Sequence, residues 1–77
     1  MNITQTVCDI VKNELRLDDN TILNEDTLLD ELGADSLDAV EIVMALEDEF
    51  SIEISDEDVE RVRSIGDMVK IISELAE

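Results

Sequence analysis

Apolar residues recur at helical spacing in four stretches of the chain, and no stretch alternates with period two for long enough to need a strand. Ile3, Val7, Ile10, Val11 and Leu15 share a face, with Asn2 and Gln5 placed as N-cap and N3 of a first helix. Leu37, Val40, Ile42, Val43, Met44, Leu46 and Phe50 form the strongest pattern, a second helix that begins after Asp35 or Ser36. Ser55 with Asp58 reads as a capping box ahead of Val59 and Val62, a short third helix. Ser64 with Asp67 repeats the device before Ile65, Met68, Val69, Ile72 and Leu75, the fourth.

Between the first two helices lies a connection from about residue 16 to 34, longer than most in a compact domain. Leu17, Ile22 and Leu23 are placed to pin it to the core, and Leu28, Leu29 and Leu32 suggest a helical turn that Gly33 ends at positive φ. The expected fold is therefore all-α. It is an irregular four-helix bundle with three longer helices, a short third one and a long first crossover, spanning residues 1–77 as a single domain.

Composition sharpens this picture. A chain of 77 residues buries only about 60% of its unfolded surface, so the core is thin. It is aliphatic, with Phe50 as its one aromatic residue and Met1, Met44 and Met68 as soft volume. Acidity favours disorder in general, but 44% hydrophobic content with clean helical periodicity argues for a folded domain.

The 22 acids against 5 bases give a net charge of −17, and no Lys or Arg occurs between residues 18 and 60. Nucleic acid is excluded as a direct partner, because binding it needs clustered cations. An anionic membrane surface is disfavoured, and a basic protein surface is the natural complement. Cys8 stands alone and is expected to pack in the first helix. No export signal or membrane-spanning run is evident, so a cytoplasmic monomer is expected.

The most sharply punctuated stretch is LGADSLDAVE, residues 32–41. Helix-start preferences leave two readings. Either Asp35 caps the second helix, with Asp38 at N3 and Ser36 as its first residue, or Ser36 is itself the cap. As a catalytic nucleophile Ser36 lacks a base, for the chain contains no histidine, and Asp35 and Asp38 would oppose an oxyanion. The chain is therefore not read as an enzyme. A serine that carries chemistry here must be activated by another protein, and a covalently attached phosphodiester is easier to place beside these acids than a phosphomonoester.

Residues 32–50, LGADSLDAVEIVMALEDEF, resemble the signature of acyl carrier proteins of dissociated fatty acid synthases. EISDEDVERV (53–62) and SIGDMVKIISEL (64–75) extend the likeness to the third and fourth helices, while Ala39 and Ser55 stand where many members have Thr or Ser, and Pro. The resemblance implies a four-helix bundle whose serine, here Ser36 flanked by Asp35, Leu37 and Asp38, carries 4′-phosphopantetheine. A holo-acyl-carrier-protein synthase type transferase would attach that arm, and its thiol would hold growing fatty acyl chains as thioesters.

A mixed apolar and acidic face of Leu37, Asp38, Val40, Glu41, Met44, Glu47 and Asp48, joined by Glu60, would meet basic docking patches on that transferase and on fatty acid synthesis enzymes. Val7, Leu32, Leu46, Phe50, Ile54, Val59, Val62, Met68 and Ile72 would line the acyl shelter, though by themselves they read as core. No metal site is expected, since the loop pattern of a calcium-binding helix pair is absent; divalent cations near Glu31, Asp35 and Asp38, or near Glu47 and Glu53, would stabilise the fold by screening or weak ligation of clustered acids. Two alternatives stay open: a carrier for a polyketide or other specialised acyl pathway, and a non-carrier acidic interaction module with Ser36 as a helix cap or phosphorylation site.

Overall fold

In the computed structural model, which describes residues 2–76, four helices appear where the periodicity places them: α1 (Ile3–Leu15), α2 (Ser36–Phe50), α3 (Asp56–Arg61) and α4 (Ile65–Leu75). Each begins at a side-chain cap. Asn2 accepts the Gln5 N–H, Asp35 that of Asp38, Ser55 that of Asp58 and Ser64 that of Asp67. The reciprocal half of the capping box forms in α2 and α4. The expected box at Ser55 and Asp58 is half made, with the serine accepting and the aspartate carboxylate taking no part.

The stops are less conventional. α1 ends on Arg16 and α2 on Ser51, both in the left-handed region at φ 55°, where glycine is the usual occupant. Arg16 and Leu17 return their N–H groups to Asn13 and Lys12, and Ile52 returns its own to Glu47, so these three carbonyls of the last turns are satisfied despite the side chains.

α1 packs against both α2 and α4, and α3 leans on α2. Val7, Cys8 and Val11 of α1 meet Ile42 and Leu46 of α2, and Ile65, Met68 and Ile72 of α4, in one closed core that Leu29 and Val62 complete. Phe50 is only half-buried against it. Met44 is 59% exposed and contributes no core volume, and Leu75 is exposed at the end of α4. Met1, expected as soft volume, lies outside the described residues. The Cys8 thiol sits near the Leu23 carbonyl at 3.9 Å, and burial raises its pKa, which keeps it protonated and unreactive.

The long crossover is fastened differently from the expectation. Ile22 is 88% exposed and pins nothing, whereas Leu23 packs on the core. The main fastening is backbone to backbone. Ile65 and Gly66, the first two residues of α4, donate to the carbonyls of Thr27 (3.0 Å) and Glu25 (2.9 Å), and Leu29 donates to the Arg63 carbonyl (2.9 Å). N–H groups that a helix start leaves without partners thus become the anchor of the loop. Gly66 permits the approach, since a Cβ there would lie 2.8 Å from the Glu25 oxygen. The Leu29–Leu32 turn that follows is 3₁₀ and ends at Gly33, which takes φ 78°.

Candidate functional site

Gly33 turns the chain from the 3₁₀ segment into α2, and Asp35 is extended (φ −101°, ψ −175°), as a helix N-cap should be. Asp35 Oδ1 accepts the Asp38 N–H at 2.9 Å, while Asp38 Oδ2 accepts the Asp35 N–H at 3.2 Å. Ser36 is consequently the first residue of the helix and not its cap, which removes the reading of Ser36 as the capping residue. Its hydroxyl is free of that duty and exposed to solvent.

Among the first-turn donors, Asp38 N–H is taken by the Asp35 side chain and Ala39 N–H by the Asp35 carbonyl. The N–H groups of Ser36 and Leu37 remain without an intrahelical acceptor, at the positive end of the α2 dipole. An exposed hydroxyl next to two free N–H groups suits a covalently attached phosphodiester. It does not suit autonomous acyl-transfer catalysis, because the chain has no histidine and the carboxylates of Asp35 and Asp38 would oppose a developing oxyanion.

Beside Ser36 runs an open groove of about 480 Å³ between the start of α2, the 3₁₀ turn and α3. Its apolar lining includes Leu29, Ala39, Val40, Val59 and Val62; Asp30, Asp35, Glu60 and Arg63 supply its charge. Leu29 and Ala39 were not among the expected site residues, and neither was Arg63. Arg63 falls between two short caps, where no periodicity indicates the direction of its side chain.

α2 divides its apolar residues between two sides. Ile42, Val43 and Leu46 are buried, while Leu37 (67%), Val40 (45%) and Met44 (59%) are exposed next to the exposed carboxylates of Glu41 and Asp48. Asp38 is half-buried in the capping box, and Glu60 is exposed on α3. Glu47 differs from its neighbours on that face. It is half-buried, and its Oε2 accepts the Ile54 N–H at 2.7 Å, so part of its carboxylate is committed inside the protein.

Of the residues expected to shelter an acyl chain, Val7, Leu46, Val62, Met68 and Ile72 lie in the closed core. Leu32, Phe50 and Ile54 pack half-buried around it, and Val59 is half-buried. Val59 and Val62 also line the groove that reaches Ser36. Among the described residues no group of three or more acidic, cysteine or histidine side chains converges on a point where a metal ion could bind.

Residues 5–72 match the sequence model of the phosphopantetheine attachment site family, and the chain belongs to that family. Solved structures that it resembles include acyl carrier proteins. A candidate acyl carrier protein of Mycobacterium tuberculosis superposes with a TM-score of 0.88 at 26% identity, covering 95% of this chain and 97% of that one. An acyl carrier protein of Thermotoga maritima gives 0.80 at 29% identity, covering 97% and 91%. The acetyl actinorhodin acyl carrier protein of Streptomyces coelicolor shares the fold, with 0.79 at 22% identity and coverage of 95% and 88%.

The protein is thus a carrier and not an enzyme, and the group its family carries is phosphopantetheine. When attached, that arm supplies the thiol on which acyl groups are held. The first turn of α2 fits the attachment: it offers an accessible hydroxyl, two free backbone donors and an adjoining open groove.

Proposed function

We propose that the chain carries growing fatty acyl groups as thioesters on a 4′-phosphopantetheine arm joined to Ser36, and delivers them to the enzymes of fatty acid synthesis. The observation that carries this reading is the position of Ser36. It is an exposed serine at the first position of α2, relieved of capping by Asp35, inside the region matched to the attachment family. The fatty acid assignment rests on the likeness of residues 32–50 to carriers of that pathway.

Asp35 Oδ1 and Asp38 Oδ2 are engaged in the capping box, and in this reading the transferase provides the base that takes the Ser36 proton. The chain's own contribution is presentation. The capping box fixes the first turn, and exposed Leu37, Val40, Met44, Glu41 and Asp48 offer a partner apolar knobs within a field of carboxylates. Exposed charge pairs add only about 0–1 kcal/mol each, which gives quick encounter and quick release. That suits a cytoplasmic monomer that visits several basic partner surfaces in turn.

The acyl chain enters, in this reading, through the groove at Val59 and Val62 and is sheltered as the helices part around Leu46, Met68 and Ile72. Incubation with coenzyme A, Mg²⁺ and a broad-specificity transferase tests the function by intact mass. A gain of one phosphopantetheinyl group is expected; no gain would leave an acidic interaction module as the better account. Thioesters recovered from the native host separate the pathways, with saturated straight chains expected and polyketide or other specialised cargo contradicting the fatty acid assignment.

A further inference from the structure

We propose that Arg63 is the built-in counter-charge for the phosphodiester on Ser36, a positioning residue that holds the root of the arm in the groove; this rests on the attachment reading above. The electrostatic problem is plain. Ser36 belongs to a stretch without a single base from residue 18 to 60, and its groove is walled by Asp30, Asp35 and Glu60. A phosphodiester adds another negative charge. Arg63 is the one cation among the described residues that line that groove.

Arg63 is also held in place. Its N–H donates to Asp67 Oδ2 at 2.8 Å, and its carbonyl accepts from Leu29 at 2.9 Å. Nη1 donates to the carbonyls of Glu60 (2.8 Å) and Val62 (3.1 Å). Nε and Nη2 make no hydrogen bond among the described residues, which leaves three N–H donors of a planar group with the geometry that phosphate oxygens accept.

The link between Arg63 and Ser36 is itself hydrogen-bonded. Leu29 donates to the Arg63 carbonyl, and its own carbonyl accepts from Ala34 at 3.2 Å, two residues before Ser36. The backbones that carry Arg63 and Ser36 are therefore tied together through Leu29, so the two side chains stand on segments already joined when the anion arrives.

Thermal unfolding of the apo and holo forms of the parent protein, Arg63→Gln and Arg63→Lys tests this. The Nη1 bonds to Glu60 and Val62 are lost in Arg63→Gln whether or not the arm is present, so the difference between the two forms isolates the phosphate contact. At low salt the holo form of Arg63→Gln should lose about 2–5 °C more than its apo form, with the excess shrinking as salt rises. Arg63→Lys should restore part of that excess. Equal losses in apo and holo forms would overturn the proposal.

A second readout needs no substitution. The Arg63 Nε–H resonance should shift between apo and holo parent protein, and an unmoved resonance would also overturn the assignment. Failure of the parent to accept the arm at Ser36 is seen separately by mass, and that result would refute the attachment reading itself.

Discussion

Glu47 reaches past the end of α2 to accept the Ile54 N–H at 2.7 Å, while its own backbone carbonyl accepts the Ile52 N–H at 3.1 Å. One residue thus holds both sides of the chain reversal that Ser51 makes at φ 55°. Replacing Glu47 by Ala strands a partly buried N–H and should cost about 1–3 kcal/mol in urea unfolding. Glu47→Gln keeps an acceptor and should lose far less. Equal stability of Glu47→Ala and the parent would mean that the carboxylate is a surface group after all.

Gly66 is a helix position at which alanine should be worse than glycine. Propensity favours alanine by about 1 kcal/mol, but a Cβ would lie 2.8 Å from the Glu25 carbonyl oxygen, a backbone atom that also accepts the Gly66 N–H. Gly66→Ala should therefore destabilise the protein by about 1–3 kcal/mol, as overpacking does. Amide exchange around residues 25–29 should rise with it. A stabilised variant would show that the loop yields freely.

Acid should loosen the start of α4 through Asp67. Its carboxylate is held below the ordinary value chiefly by the Arg63 N–H; burial opposes this next, and the Ser64 N–H and hydroxyl and the charge of Lys70 add to the lowering. Because the folded pKa is the lower one, this contribution is complete above the unfolded value near 3.8 and is lost as pH falls through the folded value. Comparing stability from pH 7 downward, Asp67→Asn should converge on the parent in strong acid and fall below it at neutral pH. Parallel curves throughout would contradict this.

Glu41 is exposed between Leu37 and Met44 on the outer side of α2. Glu41→Lys should slow loading by a basic transferase by about tenfold at low ionic strength, with the deficit fading as salt screens the encounter. A rate deficit that ignores salt would point to a fold defect instead of steering.

Helix starts were legible because capping is local. Asp35 and Asp38, or Ser64 and Asp67, carry their partners within four residues of sequence. The groove was not legible, since Leu29, Val40 and Arg63 meet only after the crossover docks on α4 through backbone atoms that no side-chain pattern encodes. Ile22 misled for a related reason: in an irregular segment there is no periodicity to say which way an apolar residue points. Glu47 had the spacing of a surface acid, and its inward turn depends on a reversal made without glycine or proline.

The central claim is that Ser36 is the attachment residue. After exhaustive reaction with coenzyme A and a broad-specificity transferase, intact mass and peptide mapping should place one phosphopantetheinyl group on the peptide containing Ser36. Ser36→Ala should gain none while keeping the fold, because Asp35 remains the cap. A full gain of mass in Ser36→Ala, or an adduct mapped to another serine, would contradict the account.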